Sequence, residues 1–131
     1  MKAVVDTNVL VFDTFEDSDL HEKAVSGLDS LDGWCLPSMV FHELVWFFRS
    51  QRIQPARASI KVQEYLTHAK TAFLPCTADD LQFAATRMKS YDEYNDSLIL
   101  SAAKRVGVPI FTFDEDLGKV AKRNAVRLFQ P

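Results

Sequence analysis

The chain has 131 residues, of which 47% are hydrophobic and 25% are charged, with only 4 glycines and 5 prolines. This composition excludes a disordered or low-complexity chain, and the length suits one domain with its own core. The formal net charge of −3 at pH 7 argues by itself against a nucleic-acid-binding protein, because such proteins usually carry a positive excess.

The charge is distributed unevenly along the chain. Residues 1–48 carry nine acids and two lysines, whereas residues 97–131 carry six basic residues and three acids. This asymmetry indicates separate roles for acids and bases, although solvated surface charge explains it more simply.

The cysteines and the apolar runs indicate a cytoplasmic protein without a membrane partner. No apolar run approaches the roughly 18–20 residues of a membrane-spanning helix, and no signal-peptide pattern opens the chain. Cys35 and Cys76 lie in apolar stretches without a neighbouring Cys or His cluster. We therefore expect both to be reduced thiols in the core.

The N-terminal half of the chain predicts two short strands and three helices. Apolar residues at three- and four-residue spacing predict a helix from about Asp19 that ends at Gly33, and Pro37 and Pro55 suit the starts of two more. The predicted elements are a strand at 2–5, a helix from about 19, a strand at 34–36, and helices at about 37–51 and 56–70.

The C-terminal half predicts three strands and three helices. Thr77, followed by Asp80, has the pattern of a helix N-cap, Gly107 suits a helix end, and Asp114 suits the cap of a last helix. The predicted elements are a strand at 72–76, helices at about 78–90 and 95–106, a strand at 108–113, a short helix after 114, and a strand at 126–129.

Strands that alternate with helices, without hairpin turn signals, predict an α/β fold with a mainly parallel sheet. There is no linker and no internal repeat, so we expect a single domain over residues 1–131.

Two acids directly follow predicted strands. Asp6 ends the first strand and Asp114 ends the strand at 108–113. Because functional sites of open α/β sheets form at the carboxyl ends of the strands, both acids are expected at the same edge. The alternative is that each is simply a helix N-cap.

Glu43 and Asp96 extend this pattern. Glu43 lies inside a run, residues 39–48, that is apolar nearly all round the helix, and an unpaired buried carboxylate is costly. Asp96 precedes a mostly apolar helical stretch, although an acid in a first turn also favours the helix dipole. Four converging carboxylates would repel one another unless some are protonated or bind a cation. Oxygen ligands alone select hard ions such as Mg²⁺ or Mn²⁺.

Four segments resemble the sequence motifs of PIN-domain nucleases. They are residues 6–10 (DTNVL), 38–44 (SMVFHEL), 95–103 (NDSLILSAA) and 111–117 (FTFDEDL). They occur in the family's order and at family-like spacing over nearly the whole chain. The resemblance implies a three-layer α/β/α domain that cleaves RNA with Mg²⁺ or Mn²⁺.

The resemblance also implies which residues form the site. Asp6, Glu43, Asp96 and Asp114 match the catalytic, metal-binding acids, and Asn8 and Thr112 match residues that orient the acids or the attacking water. Asp116 occupies a position that is frequently acidic in the family and is a further candidate ligand, although a first-turn acid explains it as well. Many small members are toxins of VapBC toxin–antitoxin pairs, usually homodimeric and held inactive by an antitoxin.

Basic and aromatic residues provide the remaining candidates. Contacts to phosphate need Lys or Arg. The candidate substrate-binding residues are therefore Arg49, Arg52, Lys104, Arg105, Lys119, Lys122, Arg123 and Arg127. The alternatives are a solvated face and, for Arg49 and Arg52, compensation of the dipole at a helix C-terminus. For the apolar residues 45–48 we favour core packing over a partner surface.

The sequence therefore predicts a Mg²⁺- or Mn²⁺-dependent endoribonuclease, acting as the toxin of a VapBC-like pair with an antitoxin partner and a homodimeric assembly. The alternatives are a free-standing RNA-processing nuclease, a DNA nuclease, a phosphatase, and a catalytically silent binding module of the same fold.

Overall fold

The computed structural model describes all residues from Met1 to Pro131. The strands are β1 (Lys2–Val5), β2 (Gly33–Pro37), β3 (Thr71–Leu74) and β4 (Ile110–Phe111). The helices are α1 (Thr7–Thr14), α2 (His21–Ser30), α3 (Ser38–Ser50), α4 (Pro55–Thr67), α5 (Ala78–Arg87), α6 (Asp92–Val106) and α7 (Glu115–Arg123). None of these helices combines the length and apolar composition that crossing a membrane requires.

All four strands are parallel and follow the order β3-β2-β1-β4. β1 is central, with its Val4 paired to Cys35 on one side and to Ile110 on the other. A single parallel bridge from Ile110 to Leu128 adds the C-terminal segment beside β4. The predicted α/β class with a parallel sheet is confirmed.

The core lies around β1. Ala3, Val4 and Val5 have no exposed surface. Because successive side chains of a strand point to opposite faces of the sheet, both faces of β1 are covered. The sheet is therefore the middle layer of the predicted three-layer α/β/α arrangement.

Helix α1 is the one element that the sequence pattern does not predict. Its apolar residues Val9, Leu10, Val11 and Phe12 are consecutive, so the spacing that marks one face of a helix is missing. The helix starts because the Asp6 side chain accepts a hydrogen bond from the Thr7 backbone N–H, 2.8 Å away.

Two predicted strands and one helix end differ from the structure. The strand expected at 108–113 is limited to Ile110–Phe111, because beyond it the Asp114 N–H binds the Thr112 hydroxyl instead of a neighbouring strand. The strand expected at 126–129 is reduced to the bridge at Leu128. Gly33 begins β2, and α2 has already ended at Ser30.

Helix α3 is amphipathic, so the expectation that it is buried nearly all round is wrong. Val40, Leu44 and Phe48 are buried, whereas Val45 is 42% and Trp46 60% exposed. Consecutive helical residues point about 100° apart, and only one face of α3 packs on the core. Core packing therefore does not account for Trp46.

Only one of the two cysteines lies in the core. Cys35 is buried in β2, but Cys76 is exposed. Cys76 follows the edge strand β3, where the chain has left the sheet, and its backbone N–H donates to the Ser38 hydroxyl over 3.0 Å. The prediction of a core thiol is thus wrong for Cys76.

Candidate functional site

Asp6 lies at the carboxyl end of β1, buried to 6% exposure. Its Oδ1 accepts the hydrogen bond from the Thr7 N–H that begins α1. Its Oδ2 accepts a hydrogen bond from the Thr112 hydroxyl at 2.7 Å. These two hydrogen bonds fix the orientation of the Asp6 carboxylate.

Asn8 and Thr112 connect the β1–α1 turn to the β4–α7 turn. The Thr112 hydroxyl accepts from the Asp114 N–H at 2.9 Å and from Asn8 Nδ2 at 3.4 Å. Asn8 Oδ1 accepts from the Phe113 N–H at 3.3 Å. Both side chains therefore orient the segments that carry Asp6 and Asp114.

Glu43 reaches the same edge from the second turn of α3. The Thr7 hydroxyl donates to its Oε1 at 2.8 Å, and Asn95 Nδ2 donates to its Oε2 at 3.3 Å. The sequence predictions gave Thr7 and Asn95 no role. Thr7 directly follows Asp6, and Asn95 directly precedes Asp96. This adjacency to predicted acids was the signal that could have identified them.

Asp96 lies in the second turn of α6 and is half-buried. Burial, and after it the charges of four other carboxylates, raise its pKa to about 7. In order of effect, these are Asp6, Asp114, Glu43 and Asp116. The four predicted acids and Asp116 therefore lie in one electrostatic neighbourhood.

Asp6 responds to the same neighbourhood. The pKa of Asp6 is raised to about 6, mainly by burial, and the charges of Glu43 and Asp114 act in the same direction. The hydrogen bonds from Thr112 and Thr7 oppose this rise because they stabilise the ionised form.

No basic side chain neutralises the acids. The ion pairs of the structure are Met1 with Asp32, Lys61 with Glu64, and Arg105 with Asp80. None of them involves a residue of the acid cluster, by which we mean Asp6, Glu43, Asp96 and Asp114. Asp114 is half-buried and caps α7 through the Asp116 N–H, and Asp116 is exposed.

The chemistry of these donors fits a hard divalent cation. All are carboxylate oxygens, and they carry negative charge without a basic partner. As placed, no three His, Cys, Asp or Glu side chains would together hold an ion. A bound cation would therefore have to draw the carboxylates closer than they stand here.

The predicted basic residues are scattered. Lys119 lines a cavity of about 270 Å³ together with Asp114 and Lys122, whereas Lys104 lines a separate cavity with Gly107 and Arg127. Arg49 lies six residues beyond Glu43 on α3, about 9 Å along the helix, with its guanidinium 5.4 Å from the Trp46 ring. Arg52 follows the end of α3. Lys119 and Lys122 thus share a cavity with Asp114, an acid of the cluster.

Two basic residues near the acids, Arg87 and Lys89, were not predicted from the sequence. Arg87, Lys89 and Arg123 line a cavity of about 430 Å³ that also reaches Asp96. A larger cavity, about 580 Å³, lies along α2 and contains no acid of the cluster.

The fold and the site together define a class: an α/β/α domain with an oxygen-only acidic site at the carboxyl edge of a parallel sheet. The family model of the PIN domain matches residues 3–123. The chain therefore belongs to the PIN-domain family, and the resemblance seen in the four motifs is confirmed.

Several solved structures share this fold. VapC20 of Mycobacterium tuberculosis, described as a sarcin–ricin loop cleaving toxin, is similar with a TM-score of 0.81 and 16% identity, over 98% of this chain and 99% of that chain. VapBC2 of Rickettsia felis, bound to a promoter DNA fragment, gives 0.68 and 16%, over 98% of each chain. FitAcB of Neisseria gonorrhoeae gives 0.64 and 22%, over 100% of this chain and 98% of that chain. Comparison with curated protein sequences finds no significant match.

Proposed function

We propose that this PIN domain is a Mg²⁺- or Mn²⁺-dependent endoribonuclease, with Asp6, Glu43, Asp96 and Asp114 as its metal-binding, catalytic acids. One observation carries the proposal: hydrogen bonds of Thr7, Thr112 and Asn95 connect the segments that carry the four acids at one edge of the sheet, and none of these acids has a basic partner. Such a site is costly for the protein on its own and becomes favourable when a divalent cation binds.

The other polar residues of the site orient these acids. Thr112 and Thr7 hold the two oxygens of Asp6, and Thr7 and Asn95 hold the two oxygens of Glu43. Asn8 supports Thr112. Asp116 is a further candidate ligand. When bound, the cation would supply an activated water and neutralise charge on the scissile phosphate.

We further propose that the protein is the toxin of a VapBC-like pair in the cytoplasm, with RNA as substrate, an antitoxin as partner and a homodimeric assembly. The structural neighbours support this, because one is described as a sarcin–ricin loop cleaving toxin and another as VapBC2. The exposed Val45 and Trp46 on α3 provide apolar surface for such a protein contact.

The test is cleavage of labelled RNA by the purified chain with Mg²⁺ or Mn²⁺, with and without EDTA. We expect cleavage that EDTA abolishes, and we expect Asp96→Asn to lower the rate at least 100-fold, because one ligand of the cation is weakened. Asp17→Asn is the matched control, since Asp17 is exposed and lies outside the acid cluster; it should cleave like the parent.

Other results would favour the alternative functions. Cleavage of DNA or of small phosphate esters, but not RNA, would indicate a DNA nuclease or a phosphatase. Absence of cleavage together with absence of Mn²⁺ binding at millimolar concentration would indicate a silent binding module. Active cleavage by a chain encoded without a neighbouring antitoxin would favour a free-standing RNA-processing nuclease.

A further inference from the structure

A cavity of about 430 Å³ opens beside Asp96, where α5, α6 and α7 meet. Asp96 and Glu93 of α6 form one wall, and Arg123 of α7 lies in another. Arg87, the last residue of α5, and Lys89 beyond it complete the lining. We call this cavity the basic cleft, defined by Arg87, Lys89, Arg123 and Asp96.

The cationic groups of the basic cleft have no carboxylate partner. None of the three ion pairs in the structure involves Arg87, Lys89 or Arg123. The second acid of the lining, Glu93, accepts a hydrogen bond from the backbone N–H of Lys89 at 3.2 Å, not from its ammonium group. Three positive charges therefore remain available to a ligand.

Arg87 is held in one orientation before any ligand binds. Its guanidinium carbon lies 4.7 Å from the centre of the Phe83 ring, and its Nη2 donates to Asn124 Oδ1 at 2.6 Å. Asn124 is itself fixed, because its Nδ2 donates to the Val120 carbonyl at 2.8 Å. The remaining N–H groups of the Arg87 guanidinium can then bind phosphate oxygens with little loss of side-chain entropy.

We propose that the basic cleft binds a backbone phosphate of the RNA strand, next to the phosphate that lies at the acid cluster. This inference rests on the proposed ribonuclease function. Asp96 lines the cleft and belongs to the acid cluster, so a strand at one site continues into the other. In a separate cavity, Lys119 and Lys122 lie with Asp114 and offer a second phosphate contact. A helix of a partner protein is a poorer fit, because Val120 is the only apolar residue of the lining.

The experiment compares two double variants that remove the same charge. Arg87→Gln/Arg123→Gln removes two cations of the cleft, and Arg57→Gln/Lys61→Gln removes two from α4. Binding of a fluorescent single-stranded RNA in EDTA is followed by anisotropy between 50 and 200 mM salt. Cleavage kinetics with Mn²⁺ provide KM and kcat separately.

We expect the cleft variant to bind RNA roughly tenfold more weakly, and its slope of log affinity against log salt to fall by about 0.7 or more, the value for one phosphate contact on a single strand. KM should rise by a similar factor, while kcat changes less than about threefold, since these residues hold the strand and not the reacting atoms. The control variant should retain the parent slope and KM.

The cleft assignment is overturned if both double variants show the same slope and the same KM. That result would also be obtained if the cleft served an acidic segment of a partner protein. If the parent chain neither binds nor cleaves RNA, the proposed function itself fails. Arg123→Gln alone, which leaves the Arg87–Asn124 hydrogen bond intact, should show part of the same loss and guards against a folding defect.

Discussion

Several effects shift the pKa of Asp6 in opposite directions. Burial raises its pKa and the charges of Glu43 and Asp114 add to this effect, while the hydrogen bonds from Thr112 and Thr7 act against it. The net pKa of about 6 lies above the usual 3.8. The folded protein without metal therefore binds a proton at Asp6 over a pH range in which the unfolded chain has lost it.

This shift has a definite sign for stability. Because the pKa of Asp6 is raised on folding, the free energy of unfolding falls as pH rises from about 4 to about 6, and the full penalty is present above pH 7. The pKa of Asp96, about 7, is also raised on folding. Asp96 therefore lowers the free energy of unfolding in the same way, over a pH range that extends to about 7. We expect Asp6→Asn to stabilise the metal-free protein at pH 8 by about 1–2 kcal/mol, which is less than the full shift because the amide keeps only one acceptor oxygen.

Urea unfolding in EDTA at pH 4 and pH 8 measures this effect. At pH 4, where Asp6 is protonated in the folded protein, the gain should disappear. Asp17→Asn should change the free energy of unfolding by no more than about 0.5 kcal/mol at either pH, as is usual for exposed positions. A variant that is less stable than the parent at pH 8 would show that hydrogen bonding, not desolvation, dominates at Asp6.

At the scale of elements, the position of α6 depends on its contact with α5. Asp80 of α5 is 2% exposed and accepts hydrogen bonds from Ser101 Oγ at 2.7 Å and from Arg105 Nη2 at 3.0 Å, both on α6. It also closes the capping box with Thr77 that the sequence indicated. Burial alone would raise the pKa of Asp80, yet the hydrogen bonds from Thr77, Ser101 and Arg105 hold it below its usual value. This connection fixes the helix that carries Asn95 and Asp96.

We expect Asp80→Asn to lower the free energy of unfolding at pH 7 by about 2 kcal/mol, because Arg105 loses its partner ion. Asp79→Asn is a close control, since Asp79 lies in the same first turn but is exposed. The contribution of Asp80 is present above the unfolded pKa and is lost as pH falls through the lower pKa of the folded state. The difference between the two variants in urea unfolding should therefore shrink towards pH 2; a constant difference would mean that packing, not charge, holds α5 to α6.

At the scale of the whole molecule, a cation should stabilise the fold. An ion that binds the folded state alone, at 100 times its Kd, contributes about 2.7 kcal/mol, or roughly 5–10 °C in Tm for a domain of this size. We expect Mn²⁺ to raise Tm at pH 8 and to do so much less at pH 5.5, where Asp6 and Asp96 are largely protonated.

Thermal unfolding with increasing Mn²⁺ tests this expectation. Asp6→Asn should lose most of the Mn²⁺ effect, while Asp17→Asn should keep it. An equal rise in Tm for the parent and Asp6→Asn would place the ion outside the acid cluster.

The fold shows where the acids and bases that make up the net charge of −3 are located. The acid-rich first third contributes Asp6 and Glu43 to the acid cluster, while Lys119, Lys122 and Arg123 of the basic last third line two cavities that also contain Asp114 or Asp96. Acids and bases thus occupy adjoining parts of one surface. The overall charge is therefore no argument against a nucleic-acid substrate.

Much of the fold could be predicted from local patterns. Helix α6, with its end at Gly107 in the left-handed region at φ 70°, and the capping of α5 by Thr77 follow from a few neighbouring residues. Helix α1 could not be predicted, since its consecutive apolar residues show no helical period. The exposure of Trp46 and Cys76 was missed because the composition of a segment does not reveal which of its faces meets the core.

The sequence by itself determined most of the elements and the parallel α/β class, and it singled out the candidate acids, because caps, periodicity and the residue after each strand are encoded locally. Only the tertiary structure decided how the acids are held and what surrounds them. Thr7 and Asn95 meet at Glu43, and Arg87, Lys89 and Arg123 meet beside Asp96. These residues come from separate helices and turns, and no local pattern records a contact between segments that meet only when the sheet and its helices pack.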